Sequence, residues 1–151
     1  MNGKLITFRP PRIAMALLAL ATIIHWLTPL RTMHVYSSAY LSAALLAAGF
    51  LVMMWAWWQF REHEVAICPT QHTAHLITDG IYRYTRNPMY LGIFLMLLGV
   101  ATFVGTPPYY AAAMVFLVVM DCSFCRYEEA KLAVTFGREY EAYKATVRRW
   151  I

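Results

Sequence analysis

The sequence predicts an all-α, polytopic membrane protein with four transmembrane helices and a C-terminal amphipathic cytoplasmic helix, in a single domain over residues 1–151. The first observation is composition: 60% of the residues are hydrophobic and 14% are charged, against about half and about a quarter in soluble domains. The second is that the apolar residues gather in runs near the ~20 residues that a helix needs to span a bilayer. Together these observations exclude an ordinary soluble core.

Three apolar stretches define the predicted spans. The first, 13–30, is interrupted only by His25, and the second, 37–60, contains no Asp, Glu, Lys or Arg. The third, 88–120, is too long for one span, but the Gly-Thr-Pro-Pro sequence at 105–108 is typical of a turn. We therefore predict helices at about 13–30, 37–60, 88–104 and 108–125.

The distribution of positive charge predicts the orientation. Twelve of the 13 Lys and Arg residues lie before the first predicted helix, between 61 and 87, or after the fourth, and only Arg31 lies on the other side. Because Lys and Arg favour the cytoplasmic side, both termini and the 61–87 loop are expected in the cytoplasm, at the inner membrane if the protein is bacterial. The net charge of +5 then indicates contact with anionic membrane lipids, and nucleic acid is not an expected partner.

The last part of the chain carries an apolar stripe with helical spacing. Its members are separated by four, three, four and four residues, while charged side chains occupy most of the remaining surface. Such a helix lies along the membrane interface or folds back over the cytoplasmic loop, as a surface anchor or as a lid. The stripe consists of Phe136, Tyr140, Tyr143, Val147 and Ile151.

The segment 78–92 is the most specific feature of the sequence. Asn87 is a good N-cap and Pro88 suits the first helical position, so a helix is expected to begin there. Arg86 precedes this start, where the positive end of the helix dipole disfavours a cation. An anion bound by Arg86 and the helix start explains that position, either a lipid phosphate or the carboxylate of an amino-acid-derived cofactor.

A second polar cluster lies at the end of the fourth predicted helix. Glu128 and Glu129 are about 100° apart on a helix, so we expect one to turn inward and the other to meet water. Lys131 is placed to pair with Glu128. Asp121, seven residues before Glu128, is a candidate functional acid, with His25 as an alternative partner that would satisfy it.

The cysteines and histidines predict no metal centre. Cys122 and Cys125 lack a second pair or a partnering motif, so they are expected to be small buried thiols. His63, His72 and His75 share a loop but lack a close ligand spacing and a fourth donor.

The two polar motifs resemble a known family. The sequences GIYRYTRNPMYLG at 80–92 and EEAKLAVTFGREYEAY at 128–143 are similar to the isoprenylcysteine carboxyl methyltransferase and phospholipid methyltransferase superfamily, over about 74–151. The resemblance implies a membrane methyltransferase that binds S-adenosylmethionine between the last two transmembrane helices and the cytoplasmic C-terminal segment. The candidate catalytic residues are Arg86, Glu128 and Tyr90: Arg86 is placed to hold the carboxylate of the cofactor, and Glu128 or Tyr90 is a candidate base if the acceptor must lose a proton. The cofactor-binding residues that the resemblance implies are His75, Leu76, Ile77, Tyr82, Asn87, Pro88, Met89, Tyr90, Glu128 and Glu129.

The chain departs from the prenylcysteine enzymes at two positions. Asn87 stands where they usually have His, and Phe124 stands where they tend to have Arg. Asparagine forms hydrogen bonds but does not carry a proton at neutral pH. The methyl acceptor is therefore expected to be lipophilic, with a prenylcysteine carboxylate, a lipid amine and a thiol all left open.

The chemistry of the cofactor suits the residues that the resemblance selects. S-adenosylmethionine carries a sulfonium, an ammonium and a carboxylate. A site for it needs an acid for the cationic end, aromatic rings for the sulfonium, and an arginine or a helix start for the carboxylate. Glu128, the tyrosines and Arg86 provide this set. Two alternatives remain, an NADPH-dependent membrane reductase of related helical architecture and a non-catalytic membrane subunit. Small residues such as Ala43, Ala44, Ala47, Ala48 and Gly49 are expected at helix contacts within the chain or in an oligomer.

Overall fold

The structure, a computed structural model, describes residues 10–62 and 75–151, and every regular element in these ranges is helical. α2 and α3 end close to where their apolar runs end, as expected for segments that bury their backbone polar groups internally. A π-helical segment, Met120–Cys125, joins the fourth and fifth helices without a break. The helices are α1 Pro10–Leu27, α2 Ala39–Glu62, α3 Pro88–Val104, α4 Pro107–Val119, α5 Arg126–Phe136 and α6 Arg138–Thr146.

Three helical segments of the described ranges are long and apolar enough to cross a membrane, as in an integral membrane protein. They are Pro10–Leu27, Ala39–Glu62 and the continuous helix Pro107–Phe136, whereas α3 is a shorter apolar helix of 17 residues. The predicted turn at 105–108 is confirmed, since α3 ends at Val104 and Gly105 adopts the left-handed conformation (φ 78°).

The predicted bounds of two helices are wrong. α1 ends at Leu27 and not at 30, because Thr28 is extended (φ −124°, ψ 159°), as a residue before proline prefers. The fourth apolar helix does not stop at 125 but continues to Phe136. The charged residues that begin at Arg126 change the surroundings of the helix, but they contain no residue that breaks its backbone.

The predicted C-terminal helix is interrupted. Gly137, with φ 51° and ψ −121°, ends α5 and separates it from α6, and Val147 is extended. The stripe is therefore not one helix, although Phe136, Tyr140, Tyr143 and Val147 still pack into the same apolar cluster. Ile151 is exposed and lies outside that cluster.

The closest helix contact joins α2 to α3. A Cβ atom on Gly49 would lie 2.6 Å from the carbonyl oxygen of Gly92, so neither position accepts a larger residue without movement. Ser42, Gly49 and Ala56 recur every seven residues on the buried face of α2, which is the spacing of a helix–helix seam. Gly49 thus makes a contact within the chain. Ala43, Ala44, Ala47 and Ala48 are exposed.

α4 packs against both α3 and α1. At the end of the bundle that holds the 105–108 turn, the Nδ1 atom of His25 lies 3.0 Å from the hydroxyl oxygen of Thr106. The alternative that His25 satisfies Asp121 is therefore wrong, because Thr106 precedes α4 and Asp121 follows it.

Candidate functional site

The structure brings the two sequence motifs into direct contact. The hydroxyl of Tyr90, in the first turn of α3, donates a 2.5 Å hydrogen bond to a carboxylate oxygen of Glu128, in the first turn of α5. The ring of Tyr90 also meets that of Phe124 edge-on, with centroids 6.4 Å apart. Tyr90 is buried, so its hydroxyl needs a partner and the carboxylate supplies it.

Four charged side chains beside this contact form what we call the ionic cluster: Arg86, Asp121, Glu129 and Arg149. Arg149 binds both oxygens of Glu129 at 2.7 Å, and it contacts Asp121 at 3.0 Å. Arg86 lies 3.1 Å from Glu129, and both of these side chains are nearly buried, with 10% and 12% of their surface exposed. Glu129 therefore forms ion pairs with two arginines at once.

Two expectations about the acids are wrong. Glu129 does not meet water, because Arg86 and Arg149 cover it. Asp121 is partnered by Arg149 and by the indole N–H of Trp150, at 2.8 Å, rather than by His25. Both errors have one cause: the segment 147–151 folds back over the helices, a long-range contact that helical periodicity does not reveal.

A π-helical segment immediately precedes the paired glutamates. It runs from Met120 to Cys125 and so contains Asp121. Such segments contain one more residue per turn than an α-helix and are frequent at functional sites. The segment therefore changes the angular relation between Asp121 and the glutamates from the one that a regular helix predicts.

Arg86 is held by the side chains of Tyr140 and Glu129. Its Nη1 atom donates to the hydroxyl of Tyr140 at 3.2 Å as well as contacting Glu129. Its buried Nε has no hydrogen-bond partner among the residues that the structure describes. A buried N–H of this kind is costly unless something accepts it, so it marks a place where an anionic group would be stabilised.

The segment 147–151 is attached to the start of α3 by its backbone. The carbonyl of Arg149 accepts from the Thr85 hydroxyl at 3.0 Å and from the Asn87 amide at 3.2 Å. The carbonyl of Arg148 accepts from the Arg86 N–H at 3.1 Å. Asn87 occupies the N-cap position as predicted, but its side chain binds Arg149 instead of capping α3.

Tyr82 lies in the apolar cluster that α6 covers. The hydroxyl of Tyr143 donates to the Tyr82 carbonyl at 2.7 Å. Burial raises the pKa of Tyr82, and the nearby Tyr143 and Glu128 raise it further. Burial also raises the pKa of Tyr143, which the charge of Arg86 partly offsets.

The remaining predicted cofactor residues divide between that cluster and the surface. Ile77 is buried in it, and Leu76 and Met89 pack against it. Pro88 is buried at the start of α3. His75 is exposed.

Sequence reasoning missed three residues of this region. Gln59, 5% exposed near the end of α2, accepts the Ile81 N–H at 3.1 Å and so holds the turn that carries Tyr82. Its signal is a lone polar residue within an otherwise apolar run. Arg149 and Trp150 were also missed, and their position beyond the recognised motif gave no reason to place them in the site.

The thiols and histidines show a mixed outcome. Cys125 is buried as predicted, whereas Cys122 is exposed. Among residues 10–62 and 75–151 no three His, Cys, Asp or Glu side chains are grouped to hold a metal ion. His63 and His72 lie outside the described residues.

Two grooves open at the surface of α5 and α6, and neither Tyr90 nor Glu128 lines them. One groove of about 580 Å³ separates the turn before α3 from α6, and another of about 420 Å³ follows α5. The volume of the first is within the range of small-molecule sites. Its lining residues are Thr78, Arg83, Glu139, Ala142, Tyr143, Thr146 and Val147.

Three proteins illustrate what the chain resembles. Over 75 residues, 48% of this chain, it is 37% identical to a protein-S-isoprenylcysteine O-methyltransferase of Schizosaccharomyces pombe and 36% identical to a probable one of Oryza sativa. The matches span only 30% and 38% of those two proteins. An uncharacterized protein of Haemophilus influenzae is 35% identical and is matched over its whole length, which is 42% of this chain.

The family comparison covers more of the chain. No solved structure matches it significantly. The family model described as phospholipid methyltransferase matches residues 37–139, or 103 of the 151 residues. This range contains the first polar motif, residues 128–139 of the second, α2, α3 and the continuous helix from α4 to α5. The chain therefore belongs to the phospholipid methyltransferase family.

Proposed function

We propose that this protein transfers a methyl group from S-adenosylmethionine to a lipophilic acceptor at the cytoplasmic face of the membrane. Family membership and the names of the relatives support the reaction class. The observation that carries the proposal is the contact of Tyr90 with Glu128 beside the ionic cluster. It joins the two motifs that the resemblance assigns to the cofactor.

The residues present fit the charges of the proposed cofactor. Glu128 suits its cationic end, and the rings of Tyr82 and Tyr90 suit the sulfonium. The buried Nε of Arg86, which has no acceptor among the described residues, suits its carboxylate.

The chain's own residues align and shield rather than attack. S-adenosylmethionine, when bound, supplies a methyl group that bonds to an acceptor lone pair as the carbon–sulfur bond breaks, leaving a neutral thioether. For such a displacement the protein mainly provides alignment. A carboxylate acceptor needs no base, whereas an amine or thiol must lose a proton, which a carboxylate oxygen of Glu128 would accept.

The membrane arrangement is also part of the proposal. We propose that α3 is a fourth span, because its 17 residues extend about 26 Å, close to a bilayer core of about 30 Å. Both termini and the site then face the cytoplasm, as the Lys and Arg distribution predicts, at the inner membrane if the protein is bacterial. Large apolar side chains that would face lipid are exposed on α1 and α2, among them Trp26, Leu27, Leu51 and Trp58.

Ligand titration tests the proposal. We expect the purified protein to bind S-adenosylhomocysteine in the micromolar range and to show no comparable affinity for NADPH. Glu128→Ala should abolish binding while the protein stays folded, whereas Glu141→Ala on the exposed face of α6 should bind normally. Undiminished binding by Glu128→Ala would refute the assignment of the site. Binding of NADPH alone would favour a reductase, and binding of neither would favour a non-catalytic subunit.

A further inference from the structure

Arg149 contacts three parts of the site, although it lies outside the two recognised motifs. Its guanidinium contacts Glu129 in α5 and Asp121 in the π-helical segment. Its carbonyl accepts from Thr85 and Asn87, which lead into α3. One residue therefore joins both walls of the candidate site, from a segment that belongs to neither wall.

The geometry of the guanidinium is selective. Its Nε and Nη2 atoms bind the two oxygens of Glu129, each at 2.7 Å, while Nη1 binds Asp121 at 3.0 Å. The planar fork of arginine makes such paired contacts, and lysine, a point charge, does not reproduce them. The hydrogen bonds to Glu129 are the main reason that the pKa of Arg149 is raised, so the guanidinium stays positively charged.

The contact divides the three acids into two groups. Glu129 and Asp121 are bound by Arg149, whereas Glu128, adjacent to Glu129 in sequence, is bound by Tyr90. Three carboxylates in one region repel one another, and removing a cation from a partly buried cluster leaves charge uncompensated. Glu128 keeps its orientation toward Tyr90 only if Asp121 and Glu129 are bound by other side chains.

We propose that Arg149 is a positioning residue that holds Glu129 and Asp121 out of the ligand site and so reserves Glu128 for the cationic end of the methyl donor. This inference rests on the proposed function for its second half only. Its first half, the occupation of the two acids, concerns the protein without any ligand. The two halves are tested by separate measurements.

Carboxyl labelling tests the first half without a ligand. The protein is treated with dicyclohexylcarbodiimide, which modifies carboxyl groups in apolar surroundings, and the modified residues are identified by mass spectrometry. We expect Asp121 to be protected in the wild type and to be labelled at least fivefold more in Arg149→Gln, with a smaller increase at Glu129, which keeps its contact with Arg86. The matched control is Arg148→Gln, whose side chain is exposed and of the same type. Unchanged labelling in Arg149→Gln would overturn the proposal.

Binding of S-adenosylhomocysteine tests the second half. We expect Arg149→Gln to weaken binding at least tenfold and Arg149→Lys to weaken it by an intermediate factor, while Arg148→Gln binds like the wild type. Increased labelling with unchanged affinity would overturn the role that we assign to Arg149. If the wild type binds no S-adenosylhomocysteine, the proposed function fails, and labelling still decides whether Arg149 occupies the two acids.

Replacing both acids provides the decisive rescue. If Arg149 acts by occupying Glu129 and Asp121, then Glu129→Gln with Asp121→Asn should restore a large part of the affinity that Arg149→Gln loses. A residue that only stabilises the fold would not be rescued in this way. Failure of the rescue, with the triple variant folded as judged by circular dichroism, would show that Arg149 acts by another route.

Discussion

A Tyr90→Phe substitution tests whether the contact between α3 and α5 is an energetic link or a coincidence of packing. The substitution removes only the hydroxyl that donates 2.5 Å to Glu128 and keeps the ring against Phe124. A hydrogen bond to a charged group contributes about 1.5–3 kcal/mol. Since each kcal/mol shifts the Tm of a chain of this size by about 2–4 °C, we expect a decrease of about 3–12 °C.

A double-mutant cycle separates this bond from other losses. Thermal unfolding in detergent, followed by circular dichroism, is measured for Tyr90→Phe, Glu128→Ala and the double variant. The double variant should lose less stability than the sum of the two single losses, by about 1 kcal/mol or more. The reason is that each single variant already removes the same contact. Tyr84→Phe is the control, since Tyr84 is 69% exposed. Additive losses would refute the reasoning.

Three further perturbations follow from particular contacts. Gly92→Ala should destabilise the protein by about 1–3 kcal/mol, because the new Cβ would lie 2.8 Å from the Gly49 carbonyl oxygen; an unchanged Tm would show that the two helices are further apart. Gln59→Ala should lower the free energy of unfolding by about 1–3 kcal/mol, because it leaves the Ile81 N–H without its acceptor. It should also weaken binding of S-adenosylhomocysteine, and normal affinity would exclude Gln59 from positioning the turn. Gly105→Ala should destabilise the protein by about 1 kcal/mol and so lower the Tm, because φ is 78° there. A Tm equal to that of the wild type would argue against the left-handed turn.

The family relationship limits what can be transferred to this chain. The named relatives are matched over about a third of their length. The proposed cofactor is argued from Tyr90, Glu128 and the ionic cluster of this chain, whereas the acceptor is proposed only as lipophilic. Assays with lipid amines and with prenylated cysteine therefore address separate hypotheses.

The sequence by itself determined the helical class, the apolar segments and the two motifs, because these depend on local composition and spacing. Helix starts at proline and the turn at Gly105 were equally readable, since proline and glycine restrict the backbone wherever they occur. The same local logic failed where Arg126 follows an apolar run, because a change from apolar to charged residues does not by itself end a helix.

Only the tertiary structure decided which acids are paired with arginine and which one faces Tyr90. Asp121 and Glu129 are separated from Arg149 by 28 and 20 positions, so no helical or strand period relates them. Their pairing depends on Gly137 interrupting the helix and on the segment 147–151 folding back over the start of α3. Charge partners are chosen by such folding over long distances, whereas helix formation is decided within a few residues.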